Sequence, residues 1–253
     1  MSTITISDEH WSKIRQFLRD NPRVYVGDEA ECRRFLEAVL LVNRSGAQWR
    51  LLPPEYGKWN SVDKRFARWC EHNIWEQMLQ HFANEPDIEY LIVDSTIVRA
   101  SVCCWSAQKN GGQAEQVLGR SRGGFSTKIH ISVDGLGNPL RFLLSAGQRH
   151  DMSQAEALLA GLLAVDYVIG DRSYDASELL EIIVNSGAVP AIPSHPRRAE
   201  QRKYDKHLYK ERHLVECLSN KIKHFRRVFS RFDKLASRYL GFLNFTGALI
   251  WLR

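Results

Sequence analysis

The sequence of 253 residues has few cysteines and no paired cysteine motif. Its cysteines are odd in number and none are spaced Cys-x-x-Cys; they are Cys32, Cys70, Cys103, Cys104 and Cys217. Disulfide-stabilised folds and structural zinc sites both depend on paired cysteines. The pattern therefore argues against both, and it favours free thiols in a reducing compartment.

Long apolar segments are also missing. The most apolar run, 239–252, is interrupted by Asn244 and is shorter than the roughly 20 residues that a membrane-spanning helix needs. The first residues lack the basic-then-apolar pattern of a secretory signal. The sequence contains no nucleotide-binding glycine loop, so no motif indicates that the protein uses ATP. These absences predict a soluble, cytoplasmic protein without a membrane partner.

The chain does contain a core-forming composition and an uneven distribution of charge. Hydrophobic residues make up 44% of it and aromatic residues 10%, which is typical of a folded protein. The net charge is +6, yet residues 1–86 carry 12 basic and 12 acidic residues, whereas residues 194–253 carry 15 and 5. This distribution favours a basic surface that binds a polyanion beside an acidic site. A merely soluble surface is the alternative.

Residues 1–86 predict a helical domain. Helices are expected over residues 7–20, from a capping box at Asp28 and Glu31 to about Asn43, and after a cap at Asn60. The tryptophans expected in its core are Trp11, Trp49, Trp59, Trp69 and Trp75. The third helix carries Lys64, Arg65 and Arg68, which suits helix-turn-helix-like DNA binding. A helical dimerisation or packing domain is an alternative of nearly equal weight, because the segment has no net charge.

The periodicity changes near residue 86, where we place the boundary with a second domain, 87–253. Short apolar runs at residues 90–93 and 167–170 predict buried strands that end on Asp94 and Asp171. Residues 95–125 predict a long polar loop, and further strands are expected at 127–133, 140–144 and 189–192. Helices are expected from Asp151 to 164 and, with Asp175 and Glu178 as a cap, to about 185. Residues at the carboxyl ends of neighbouring strands in α/β sheets lie side by side, so the two aspartates should be adjacent.

A single helix is predicted for residues 209–234. At about 100° per residue, one face collects Tyr209, Arg212, Glu216 and Lys223, and the opposite face is apolar: Leu214, Leu218, Ile222, Phe225 and Phe229. If Glu216 joins the two aspartates, three carboxylates repel one another unless a cation lies among them. Oxygen ligands of this kind suit Mg²⁺ or Mn²⁺, and two such ions about 3.5–4 Å apart suit phosphodiester chemistry. An amphipathic helix with solvated charges is the alternative.

These motifs resemble those of DDE transposases of bacterial insertion sequences, and the family-five branch in particular. The signature Tyr-x2-Arg-x3-Glu-x6-Lys occurs as Tyr209, Arg212, Glu216 and Lys223 with every spacing kept. Matching segments extend over nearly the whole chain, among them LIVDST, GRSRGGFSTKIH, GQRHD and VIGDRSYD. The resemblance implies a ribonuclease H-like α/β fold with a mixed sheet and flanking helices, in which Asp94, Asp171 and Glu216 bind the metal ions. It also implies that no β-domain is inserted between Asp171 and Glu216.

The function implied by the resemblance is binding of the terminal inverted repeats of the element, followed by metal-dependent strand cleavage and strand transfer. Its partners are then DNA, as element ends and as target, and further copies of the chain, at least a dimer when two ends are synapsed. A DNA-binding repressor derived from a transposase is one alternative. A ribonuclease H-like host nuclease, which cuts without joining, is another.

Further DNA contacts are predicted outside the signature. Arg120, Arg122 and Lys128 are expected to meet phosphates, with a solvated loop as the alternative, and Arg226, Arg227 and Arg231 extend the basic helix. His150 and Asp151 are placed near the carboxylate site. Asp151 with Gln154 fits a helix N-cap equally well.

Overall fold

The computed structural model describes residues 5–87, 89–101, 104, 115–121, 124–162 and 164–253. The predictions at Arg122 and Cys103 lie outside these residues. The chain folds as N-terminal helices followed by a six-stranded sheet with helices on both faces. In the part of the chain described, every helix is too short or too polar to cross a membrane.

The N-terminal helices largely follow the sequence prediction. They are α1 (Asp8–Asp20), α2 (Glu29–Ser45), α3 (Trp59–Glu71) and α4 (Ile74–Phe82). Asp28 caps α2 as predicted, because its side chain accepts a hydrogen bond from the Glu31 N–H at 2.8 Å. The predicted cap at Asn60 is wrong, since α3 begins at Trp59, after Lys58, and Asn60 lies inside the helix. Trp59 is 36% exposed and lies under the Arg50 guanidinium rather than in the core.

The sheet combines antiparallel and parallel pairs. Its strands are β1 (Tyr90–Arg99), β2 (Gly119–Ser121), β3 (Gly124–Val133), β4 (Pro139–Ala146), β5 (Tyr167–Ile169) and β6 (Val189–Ala191). The order is β2-β3-β1-β5-β6, with β4 pairing β3, and β1, β5 and β6 are parallel. The prediction that the first strand ends at Asp94 is wrong. Antiparallel pairing with β3 carries β1 through Arg99 and turns part of the expected loop into strand.

The helices predicted over 151–164 and 209–234 are shorter in the structure. The remaining helices are α5 (Ala155–Leu159), α6 (Ser177–Asn185), α7 (His213–Lys223), α8 (Arg226–Phe229) and α9 (Ala236–Trp251). The single helix expected over 209–234 is instead a 3₁₀ turn, Leu208–Arg212, followed by α7 and, after a break at Phe225, by α8. Phe229 is consequently 60% exposed. Asp175 does not cap α6, because its side chain is buried against Arg198 and Arg202.

Strand periodicity divides the core between the two faces of the sheet. Ile92 and Ile169 belong to one hydrophobic cluster, which includes Val215, Leu218 and Ile222 of α7. Leu91, Val93 and Val168 belong to a second cluster on the other face, with α5 and α6. We call these the α7 face and the α5/α6 face. Successive residues of a strand point to opposite faces, so residue parity decides which face each side chain meets.

The C-terminal helix joins the N-terminal helices to the sheet. Helix α9 is apolar nearly all round and buried over most of its length, as expected of a helix surrounded by protein. Its Phe242 ring stacks on Phe66 of α3, and its Thr246 hydroxyl accepts a hydrogen bond from Asn43 of α2 at 2.8 Å. The core is therefore continuous across residue 86, and the boundary between 1–86 and 87–253 stays a prediction.

Replacing Gly241 with alanine should destabilise the protein. A Cβ at this position would lie 2.6 Å from the Cys70 sulfur and 3.1 Å from Trp75 Cδ1. Overpacking of this kind costs about 1–3 kcal/mol, whereas glycine to alanine in an unconstrained helix gains about 0.5–1 kcal/mol. Urea unfolding measures the difference, and Ser237→Ala on the exposed start of α9 is the control. A Gly241→Ala protein more stable than wild type would contradict the close packing.

Candidate active site

The parallel pairing of β1 with β5 brings the two predicted aspartates to one place. The last pair in register is Ile92 with Ile169, and Asp94 and Asp171 each follow two residues later. With the two-residue period of a strand, both positions lie on the α7 face. The prediction of adjacent aspartates at the end of the parallel pairing therefore agrees with this register, although Asp94 lies within a strand.

A guanidinium lies between two of the three carboxylates. Arg212, on the 3₁₀ turn that precedes α7, places Nη1 3.5 Å from Asp94 Oδ2, and its Nη2 donates to Glu216 Oε1 one helical turn later. The side chain of Arg212 is 25% exposed and that of Glu216 is 51% exposed. Arg212 thus joins the helix that bears Glu216 to the strand that bears Asp94.

The electrostatics of Asp94 reflect this crowding. Burial, and then the charges of Asp171 and Glu216, raise the pKa of Asp94 to about 6, against the opposing effects of the Ser95 N–H and Arg212. A carboxyl in this state gains from a nearby cation, which favours its ionised form. The site is therefore suited to a positive charge beyond that of Arg212.

The donor set fits a hard divalent cation in its chemistry. Carboxylate oxygens are the ligands that Mg²⁺ prefers, and Asp94, Asp171 and Glu216 supply them. Within the described residues, however, no three His, Cys, Asp or Glu side chains are gathered closely enough to hold an ion. Glu216 points to Arg212, and Asp171 accepts hydrogen bonds from the N–H and hydroxyl of Ser173. One oxygen of Glu216 is thus already bonded to Arg212, and a cation shared by all three carboxylates would need them closer together.

On the α5/α6 face, a buried ion pair supports the same end of the sheet. Asp151 Oδ1 accepts hydrogen bonds from Lys128 Nζ at 2.6 Å and from the hydroxyl of Ser95 at 2.5 Å. Burial opposes the ionised form of Asp151, but hydrogen bonds from Lys128, Ser95 and Ser173 outweigh it and lower its pKa. The N-cap interpretation of Asp151 is wrong, because α5 has no side-chain cap.

Three of the basic residues predicted to contact DNA are buried and bind partners inside the protein. The side chain of Lys128 is only 10% exposed and is neutralised by Asp151. Arg227 is 5% exposed, and its guanidinium pairs with both oxygens of Asp233 at 2.8 and 3.0 Å. Arg231 is fully buried and donates to backbone carbonyls and to Thr127. These groups stabilise the fold, and the structure contradicts their prediction as phosphate contacts.

The other predicted contacts reach the surface. Exposed positions are found for Arg120, Arg226, Lys64 and Arg68. Tyr209 and Lys223 are half-buried, and Lys223 ends α7 two turns beyond Glu216 on the same side. Arg65 is half-buried because its guanidinium stacks on Phe35, and the Cζ atom of Arg65 lies 4.5 Å from the centre of the Phe35 ring.

The sequence interpretation missed several groups around the carboxylates. Ser95 and Ser173 lie one and two residues after the aspartates, within the quoted motifs LIVDST and VIGDRSYD, so the motifs themselves were the signal. Tyr174 is fully buried, and its hydroxyl has no hydrogen-bond partner in the described chain. Burial, and then the charges of Asp151, Asp94 and Asp171, raise the pKa of Tyr174. No sequence pattern pointed to this buried phenol.

Comparison with known families gives two matches along the chain. Residues 6–79 match the model described as a putative transposase of the IS4/5 family, and residues 85–250 match the transposase DDE domain. The two matches together cover nearly all of the described residues.

Comparison with individual proteins agrees. The chain is 42% identical over 129 residues to a putative transposase for insertion sequence element IS6501 from Brucella ovis, covering 51% of this chain and 99% of that protein. It is 40% identical over 95 residues to the uncharacterised protein y4sN of Sinorhizobium fredii, covering 38% and 76%. A piggyBac transposase in a synaptic complex with hairpin DNA is similar in fold, with a TM-score of 0.53 and 10% identity over 98% of this chain and 72% of that chain. The predicted family and the α/β fold class are confirmed.

The pH dependence of stability should reveal the buried histidine beside the Asp151 pair. His130 is fully buried with Nε2 2.7 Å from the Ser145 hydroxyl, and burial lowers its pKa from 6.5 to about 4. Between these values the unfolded chain binds more protons than the folded chain, so stability falls as the pH drops from 6.5 towards 4. The folding stability lost through this difference in proton binding approaches about 3 kcal/mol.

The measurement compares unfolding free energies of wild type and His130→Gln across this pH range. The variant should lose less stability on acidification, whatever its stability at neutral pH, because glutamine takes up no proton. Ser145→Ala, which keeps the imidazole, is the control. Parallel pH profiles for wild type and His130→Gln would show that His130 is not the group responsible.

Proposed function

The chain belongs to the transposase DDE domain family, and we propose that Asp94, Asp171 and Glu216 form its catalytic site. It is a DNA transposase, a metal-dependent enzyme that cleaves DNA and transfers strands. The assignment rests on the contacts of Arg212. Its guanidinium links the carboxylates of Asp94 and Glu216, although the strands that bear the two aspartates lie far from α7 in the sequence.

We infer that the site holds two Mg²⁺ ions, or Mn²⁺, through these three carboxylates. Bound there, the ions supply activation of the attacking oxygen and stabilisation of the leaving oxygen. Asp94 gives up its proton more readily beside a cation, since its raised pKa comes from burial and neighbouring negative charge. Arg212 holds Glu216 in place beforehand.

The chemistry consists of two successive nucleophilic substitutions at phosphorus. Water first attacks the phosphodiester at the element end, and the broken P–O bond leaves a 3′-hydroxyl and a 5′-phosphate. That hydroxyl then attacks a target phosphodiester, so that one P–O bond forms as another breaks and no ATP is consumed. Lys223 is placed about 10 Å along α7 from Glu216, where its ammonium reaches a strand that crosses the site.

The N-terminal helices supply the surface proposed for the terminal inverted repeats. Lys64 and Arg68 are exposed on α3. Arg68 also lines a cleft of about 440 Å³, where the basic groups of Arg23, Arg65 and His72 outnumber the acids Asp28 and Glu31. Cations clustered on one helix are typical of a DNA-binding surface. We propose that two copies of the chain bring two ends together in the cytoplasm.

Neutral variants of the three acids should abolish cleavage and spare binding. Asp94→Asn, Asp171→Asn and Glu216→Gln should each slow Mg²⁺-dependent cleavage of an element end by more than about 100-fold, beyond the loss typical of groups that only orient metal ligands. Gel shifts with the same end should change little, because cationic groups carry the affinity. Asp166→Asn, at an exposed acid away from the site, is the control.

Near-normal cutting by any one variant would remove that residue from the triad. A wild-type protein that binds ends without cutting them in Mg²⁺ would indicate the repressor alternative. One that cuts without joining would indicate the nuclease alternative.

Lys223→Ala should weaken binding to cleaved ends and reduce its salt dependence. Loss of one phosphate contact lowers the log–log slope of affinity against salt by about one. Folding stability should change by less than about 0.5 kcal/mol. The matched control is Lys221→Ala, an exposed lysine on the far side of α7. If Lys223→Ala unfolds the protein and leaves the slope unchanged, the residue is structural.

A further inference from the structure

A second cleft opens beside the carboxylate site. Its volume is about 800 Å³, and it is lined by residues after β4, β5 and β6: Gly147, Gln148, Arg149, His150, Asp151, Met152, Arg172, Ser173, Asp175 and His195, together with Lys128. Ser173 belongs to its wall and donates hydrogen bonds to Asp171. The cleft therefore reaches Asp171 through Ser173, and the Asp151 ion pair places it towards the α5/α6 face.

The acids of this cleft are neutralised from within the protein. Asp151 pairs with Lys128 at 2.6 Å. Asp175, whose side chain is fully buried, pairs with Arg198 at 2.7 Å and with Arg202 at 2.5 Å. Because each carboxylate already has its cation, neither needs the exposed arginines of the cleft.

Arg149 and Arg172 are consequently left as uncompensated charges. Both side chains are exposed, and neither forms an ion pair within the described part of the chain. The exposed imidazoles of His150 and His195 add further nitrogen groups that can donate to an anion. Two unpaired guanidiniums beside a phosphodiester-cleaving site are suited to bidentate contacts with phosphate.

The two faces of the sheet offer separate cationic surfaces. Arg212 and Lys223 lie on the α7 side of the carboxylates, and Arg149 and Arg172 lie in the cleft on the other side. Strand transfer needs two DNA segments at one site, and these polyanions repel each other unless each has its own cations. We propose that the backbone of the target DNA strand occupies the cleft, while the cleaved element end lies against α7. This inference rests on the proposed function.

The test is strand transfer by the full-length chain carrying Arg149→Gln and Arg172→Gln together. A precleaved element end with a labelled 3′-hydroxyl is joined to a target duplex of increasing concentration in Mg²⁺. Half-maximal joining should require about tenfold more target, as expected for loss of two solvent-exposed ionic contacts. The log–log dependence of that concentration on salt should become shallower by about two. Joining should fall more than hydrolytic cleavage of an uncut end.

Lys13→Gln with Arg19→Gln, which removes two charges from exposed side chains on α1, controls for net charge, and thermal melting checks that the test variant folds. An unchanged requirement for target would overturn the inference. So would an equal loss of cleavage and joining together with weaker binding of the element end, which would place the end in the cleft. If the wild type neither cuts nor joins DNA, both the proposed function and this inference are wrong. If the wild type joins ends and the test variant requires no more target, only this inference is wrong.

Discussion

Three carboxylates can share one end of a sheet only when positive charge lies among them, and the rest of this site follows from that constraint. Arg212 meets part of it by contacting Asp94 at 3.5 Å and by bonding Glu216. Burial, and then the charges of Asp171 and Glu216, still raise the pKa of Asp94 to about 6, so one guanidinium does not offset them. A cation beside Asp94 would favour its ionised form, which agrees with the metal dependence of the family.

The sheet turns this local constraint into a two-sided arrangement. Adjacent residues of β1 face opposite ways, so Asp94 meets α7 while Ser95 meets Asp151. The buried Lys128–Asp151 pair is satisfied by direct contacts at short range, which is the condition under which a buried ion pair is tolerated. One strand thereby carries the proposed catalytic carboxylate of Asp94 on one face and bonds the structural carboxylate of Asp151 on the other. The same division separates the cationic surface of α7 from the cleft that contains Arg149 and Arg172.

Arginine shows how far residue type alone can mislead. Arg226 and Arg227 are neighbours in sequence, yet Arg226 is exposed and Arg227 pairs with Asp233 inside the protein. Both were predicted as DNA contacts because they continue the basic sequence of one predicted helix. The extended conformation of Phe225 breaks that helix, and after the break Arg227 meets the core while Arg226 and Phe229 stay exposed. A basic segment of sequence is thus not the same as a basic surface.

The sequence by itself determined the features that depend on local spacing. The cap of α2, the existence of the short buried strands and the signature that contains Arg212 and Glu216 could all be predicted, because each needs only a few residues or a helical period. Tertiary structure decided where partners are distant. The extension of β1 to Arg99 depends on pairing with β3, the use of Asp151 depends on Lys128, and the burial of α9 depends on helices near the other end of the chain. Such contacts follow from packing and burial in three dimensions, and no periodicity along one segment records them.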